Sequence, residues 1–340
     1  MSRVILALTM LILSGFLILH ASENLSIEAS ETFQSGVEAF ELGEYQRAQS
    51  LFETVNKTND DHVDSLIYLA RVNAKLDNWD EAGDFIEDAL KLAPRNAFAH
   101  NLSGKINGRI AREASIFTAL GYAEDSLEGF TKAVEYEPTN IDFHWDIIGF
   151  HLNAPGIAGG DKDIALAHAK TLASLNEKDG FLAFLNVYSS MEDEKALAAH
   201  IAVIPEMLKD DAEVLFELGM LRQRQENFVE AFKYFSASIT SAENNAEVQR
   251  TLFAAIYQTG RTSVLSEQNI AMGIAALNRF IEQAPELENL PSKEWAQFRL
   301  ANLMELNGSK QESKVIYRNL AKQTMDKELK KRAKKKSRQK

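Results

Sequence analysis

Small and bulky apolar residues recur along this chain in a fixed order. Gly43-Glu44-Tyr45 leads to Ala48 and Phe52, and 34 residues later Asn78-Trp79 leads to Ala82 and Ile86. Glu226-Asn227-Phe228 then leads to Ala231 and Phe235, after Leu215, Leu218 and Gly219. Apolar residues three and four apart mark one face of a helix, and Pro94 after Ala89 and Leu90 marks a helix end. A period of 34 predicts helix–turn–helix units that bury their apolar faces only against neighbouring units. Units are expected to start near Ala29, Val63, Ala97, Ile141, Ala212, Ala246 and Glu294, with a looser pair over 176–211. Extra residues are expected around Ile110–Leu120, at Ala154–Lys162 and around Arg261–Asn269.

These residues resemble the tetratricopeptide repeat (TPR), with small residues at positions 8 and 20, bulky ones at 4, 7, 17 and 24, and proline near 32. The resemblance covers roughly residues 29–322. It implies an all-α fold, a right-handed superhelical solenoid of about seven or eight helix pairs. It divides the chain into repeats over 29–211, repeats over 212–322 and a basic tail over 323–340. It also implies a binding scaffold with a protein or peptide partner in its concave groove, without catalysis and with no cofactor or metal. The loop Ala154-Pro155-Gly156-Ile157-Ala158-Gly159-Gly160 resembles one in exported bacterial repeat proteins, and that resemblance brings no activity with it.

Composition narrows the chemistry. The absence of cysteine excludes disulfides, thiolate metal sites and thiol catalysis. A net charge of −12 argues against nucleic acid as partner. Arg3 followed by the apolar run 4–19 and His20-Ala21-Ser22 has the layout of a secretory signal over 1–22. The chain is therefore expected to be exported, periplasmic or secreted, with an uncleaved anchor as the alternative. The tail Lys327–Lys340 holds nine basic residues and one acid, so residues 22–326 carry −21. That tail is expected to fray, or to dock on anionic lipid, acidic polymers or the acidic body.

Candidate chemistry falls into four groups. The glycine-rich loop lacks the Walker pattern, because Asp161 separates Gly160 from Lys162; it is expected to be a turn with Asp161 capping the next helix. His144 and His151 share a helix face with His168 on the following helix, a sparse set for metal. Asp60-Asp61 and Asp210-Asp211 are expected at inter-repeat turns. The fourth group follows from the resemblance, which places positions 2, 5, 9, 12 and 13 of each first helix on the concave face. Arg71 and Lys105 take position 9, Lys75 and Arg109 take position 13, Asn101 takes position 5, and Arg112 lies one turn beyond Arg109. Guanidinium and ammonium groups so grouped suit an acidic partner or a free C-terminus, although a solvated face paired with Asp64 or Glu81 would look the same. Farther along, Trp145, Phe216, Met220, Gln223, Arg250 and Tyr257 make a mixed stripe that anchors a ligand or packs under the insertions.

A binding scaffold in cell-envelope assembly is thus the leading expectation. An envelope enzyme or metal-binding protein with its site near 154–162, and a self-assembling structural component, are the alternatives. Membrane contact is expected only through an uncleaved N-terminus or the basic tail.

Overall fold

A computed structural model describes residues 29–58, 63–243, 245–287 and 289–338, so the signal and Asp60-Asp61 lie outside the described residues. Seventeen α-helices and no strand occur among them. Contacts group the chain into two compact units, the division falling between Met191 and Glu192.

The first unit contains α1 (29–41), α2 (Tyr45–Thr58), α3 (Val63–Lys75), α4 (Trp79–Leu92) and α5 (Ala97–Glu113). It continues with α6 (Ile116–Tyr136), α7 (Ile141–Asn153), α8 (Lys162–Leu175) and α9 (Glu177–Met191). The second contains α10 (Glu194–Ala202), α11 (Ala212–Arg224), α12 (Phe228–Ala242) and α13 (Gln249–Ser266). It ends with α14 (Ile270–Gln283), α15 (Lys293–Leu306), α16 (Lys310–Gln323) and α17 (Lys327–Arg338). Within each unit successive helices pack on one another, from α2 to α9 and from α11 to α17, and alternate helices also touch: α3 on α5 and α7 on α9, then α11 on α13, α13 on α15 and α15 on α17. That is an α-solenoid of helix pairs.

Local chemistry starts these helices. Asn96, Asn140, Asp161, Asp211 and Asn227 each accept hydrogen bonds from the backbone N–H groups of the first turn, a cap that contributes about 1 kcal/mol. Four of the turns inside pairs use one left-handed residue: Gly43, Asp77, Glu226 and Gly308 have φ of 76°, 60°, 57° and 92°.

Packing inside each pair depends on two small residues. Gly36, Ala70, Gly219 and Ala301 stand on the first helices, and Ala48, Ala82, Ala231 and Ser313 follow 12 residues later on the second. The latter four are at most 1% exposed. A Cβ on Gly36 would lie 2.7 Å from Phe52, and one on Gly219 would lie 2.6 Å from Phe235. Small residues therefore let the helices close until an aromatic ring fills the space. In the first unit Phe52 stacks on Tyr68 of the next pair (4.9 Å), which joins one pair to the next.

Two expected insertions take another form. Around 110–120 the extra residues lengthen helices: α5 has 17 residues, α6 has 21, and only Ala114 and Ser115 separate them. Close approach at Gly104 and Gly129, where a Cβ on Gly129 would sit 2.7 Å from the Gly104 nitrogen, keeps the long hairpin packed. The second case is α13. There Gly260, not Phe253, is the small residue that faces the second helix, since its Cβ would meet Leu277 at 2.3 Å. The pair is thus registered seven residues later than a start at Ala246 implies. The extra residues precede Gly260, as the 3₁₀ turn Ala246–Val248 and the first turn of α13.

Candidate functional site

The residue after the small position on a first helix is basic in three pairs: Arg71 after Ala70, Lys105 after Gly104 and Arg261 after Gly260. In the first unit the basic residues diverge. The Arg71 guanidinium lies over the rings of Phe40 (4.4 Å) and Tyr68 (4.5 Å). Lys105 turns the other way, to Asp146 on α7 (2.9 Å), and the buried Asn101 donates to the same Oδ2 (2.9 Å). Lys105 and Asn101 thus tie α5 to α7. Arg109 pairs with Glu113 (2.6 Å) and faces Trp79 on α4, while Arg112 donates to its own helix at the Gly108 carbonyl. Lys75 is exposed at the end of α3. Arg71, Lys105 and Arg109 therefore have separate local partners.

The glycine-rich loop is a 3₁₀ turn at Gly156–Ala158, followed by Gly159 at φ 90°. A Cβ on Gly160 would overlap the Ala154 carbonyl at 1.8 Å, which explains the second glycine. Asp161 accepts from the N–H groups of Asp163 and Ile164, so it does cap α8. Lys162 donates to the Ser190 carbonyl at the end of α9, away from any phosphate cradle.

The histidines do come together in part. His144 Nδ1 and His168 Nδ1 are 2.9 Å apart, and His144 Nε2 is 2.9 Å from the Pro138 carbonyl. A carbonyl only accepts, so a neutral His144 holds its proton on Nε2 and accepts from His168. His100 makes the same contact with the Pro94 carbonyl at 2.9 Å. The signal was present as Pro94-x-Asn96-x-x-x-His100 and Pro138-x-Asn140-x-x-x-His144. Burial, with the nearby His144 and His151, holds His168 down to about 4. His151 bonds the Gly159 carbonyl (3.0 Å), and burial lowers it too. Among the described residues no three histidine or carboxylate groups are placed to share a metal.

Trp145 is half-buried, packs against the core cluster that contains Ile148 and Leu172, and donates through Nε1 to Asp179 on α9 (2.8 Å). It ties helices together rather than presenting an open ring. In the second unit Phe216 and Met220 pack against Phe235, while Arg250 is exposed on the first turn of α13. Tyr257, expected as a groove anchor, is only 4% exposed and packs on Phe280. Trp145, Phe216 and Tyr257 thus pack between helices of their own units.

Around Tyr257 lies a polar cluster that the sequence frame missed. Gln223 of α11, 6% exposed, donates to Thr262 (2.7 Å) and Gln258 (3.2 Å). Arg261 Nη1 donates to the side-chain oxygens of Gln223 (3.0 Å) and Gln258 (3.3 Å). One turn back on α13, the Tyr257 hydroxyl accepts from Arg299 Nε of α15 (2.6 Å). Burial lowers the Arg261 guanidinium, and the Arg299 charge lowers it further. Neither arginine has a carboxylate partner among the described residues. Both are oriented by neutral groups, which leaves N–H donors of each without a partner there. The available signal was the small–basic pair Gly260-Arg261, matching Ala70-Arg71 and Gly104-Lys105.

The basic C-terminus differs from the frayed end expected. Residues 327–338 form α17, whose Leu329 and Ala333 are fully buried against Phe298, Ala301, Tyr317 and Leu320. Asp326 caps it through the Leu329 N–H (2.8 Å) and accepts from Trp295 Nε1 (2.8 Å), and Lys336 reaches Glu305 (2.8 Å).

Comparisons with known proteins agree with this architecture. Residues 39–106 match the profile of the tetratricopeptide repeat. Yeast Tom70 has a similar structure: the TM-score is 0.66 at 16% identity, over 91% of this chain and 63% of that one. A tetratricopeptide repeat protein of Parabacteroides merdae gives a TM-score of 0.49 at 11% identity, over 92% of this chain and 99% of that one. A thermophilic protein with these repeats from Thermus thermophilus gives 0.44 at 19% identity, over 67% and 98%. A search among curated proteins gives no match. The profile match is confined to residues 39–106, and the likeness to Tom70 is one of fold: an α-solenoid of helix pairs.

Proposed function

We propose that this chain is a non-catalytic binding scaffold that holds an acid-bearing protein segment, such as acidic side chains or a free C-terminus. The observation that carries the proposal is the Arg261–Arg299 pair. Two guanidinium groups at one place repel each other, and each is half-buried without a counter-charge from the described residues. Gln223, Gln258 and Tyr257 hold them by neutral hydrogen bonds, so no internal carboxylate must be displaced before a ligand binds. Guanidinium forks match carboxylates in two-point contacts. Arg71 and Lys105 repeat the same register in the first unit, where Asp146 already pairs with Lys105. Export is part of the proposal and is supported by the layout of residues 1–22; fractionation of cells expressing the full chain tests it.

Binding is tested by fluorescence anisotropy with an acidic peptide library, each member made with a C-terminal carboxylate or carboxamide. Peptides with more carboxylates should bind more tightly, and Arg261→Gln with Arg299→Gln should remove that preference. Equal affinity for acidic and neutral peptides, or an unchanged preference in the double variant, overturns the proposal.

A further inference from the structure

The face that α16 and α17 present together is a second, separate concentration of positive charge. Arg318 and Lys322 of α16 and Lys327, Lys331, Lys334 and Arg338 of α17 line one open hollow that no acidic residue lines. The four on α17 are spaced four, three and four apart, so they share one side of the helix. The opposite side carries Leu329 and Ala333, fully buried in the core, which fixes where the cations point. The nearby acids are engaged elsewhere: Glu328 with Arg332, Glu305 with Lys336, and Asp326 with Trp295 and the start of α17. None of these six cations has an ion pair among the described residues. Like charges one turn apart oppose helix formation. Burial of Leu329 and Ala333 offsets that repulsion but does not neutralise the charges.

We propose that this face is a docking surface for an anionic lipid bilayer, to which it adsorbs without insertion. Four of the six cations are lysines, whose long stems let point charges spread over a headgroup layer. No aromatic side chain lines the hollow to stack on nucleic-acid bases. α17 itself offers no exposed apolar residue to enter the acyl region, since its Leu329 and Ala333 are buried; Met325, in the turn before it, is the exposed apolar residue nearest to it in sequence. A cluster of four to eight basic residues on one helix is what anionic headgroups attract. The surface is independent of the Arg261–Arg299 site, so either can fail without the other.

The test is co-sedimentation of the full chain with vesicles of phosphatidylcholine alone or with 30% phosphatidylglycerol. The contribution of each lysine corresponds to about fivefold in partitioning. Lys327→Gln, Lys331→Gln and Lys334→Gln together should therefore weaken binding to the anionic vesicles on the order of 100-fold. Raising the salt concentration should weaken the wild type likewise. All three lysines are exposed, and a separate Arg318→Gln, Lys322→Gln variant checks the result without touching α17. Any binding through the apolar N-terminal run persists on neutral vesicles, so the anionic-minus-neutral difference isolates this face. No difference between the two vesicle types, or wild-type binding by both variants, overturns the proposal. So does binding to DNA or self-association that both variants abolish, if the anionic vesicles remain unbound.

Discussion

Replacing Gly260 by alanine tests the register on which the second-unit site depends. A Cβ there would lie 2.3, 2.7 and 2.9 Å from three side-chain carbons of Leu277, where about 3.5–4.0 Å is a relaxed contact. Leu277 is fully buried in a cluster with Ile256, Phe280 and Leu303, so it has little room to retreat. Overpacking of this kind costs about 1–3 kcal/mol, and a clash with a branch carbon belongs at the upper end. Alanine regains about 1 kcal/mol of helix propensity over glycine, so the net loss should be about 2 kcal/mol. Gly121, exposed in α6 with nothing near its Cβ position, is the control; Gly121→Ala should gain up to about 1 kcal/mol. Urea unfolding followed by far-ultraviolet circular dichroism measures both. Adding Leu277→Ala to Gly260→Ala should cost less than the sum of the two single changes, because the new methyl occupies the space vacated. If Gly260→Ala is as stable as Gly121→Ala, α13 and α14 do not meet at Gly260, and the placement of Arg261 falls with it.

Two further outcomes follow from local chemistry. His168 is held near 4 against an ordinary 6.5, so the unfolded chain takes its proton first as pH falls. Stability from this histidine is therefore complete above about 6.5 and lost between 6.5 and 4. With half the ring near solvent, the loss should be about 1–2 kcal/mol. Unfolding of wild type and His168→Asn across that range checks it, and equal pH slopes contradict it. At the α11–α12 turn, Glu226 sits at φ 57°, a region costly for any residue with a Cβ. Glu226→Gly should raise stability by about 1 kcal/mol in urea unfolding, and a loss would show the turn to be wrongly described.

Periodicity carried much of the fold because the small–large packing rule repeats with the residue count. Val63, Ala97, Ile141 and Ala212 begin α3, α5, α7 and α11 as the spacing implies. Counting residues says nothing of the conformation an insertion takes, so 110–120 lengthened two helices where a separate insert was expected. The same limitation displaced the frame of α13: extra residues ahead of Gly260 shifted it by seven, which hid Arg261 and put Tyr257 in the groove. Side-chain direction was less legible still. Arg71 and Lys105 hold equivalent places, yet Phe40 and Tyr68 attract one while Asp146, distant in sequence, attracts the other. In α17 the spacing of Leu329 and Ala333 was visible, but the surface of Phe298, Tyr317 and Leu320 that receives them exists only in the folded chain.

The proposal that oriented guanidinium groups receive an acidic segment is tested most directly at those groups. Arginine Nε–H resonances of the full chain, assigned through Arg261→Lys and Arg299→Lys, can be followed as the tightest-binding acidic peptide is added. Arg261 and Arg299 should shift and gain protection from solvent exchange together, saturating at the affinity measured by anisotropy. Saturation of the peptide with both resonances unmoved would contradict the account.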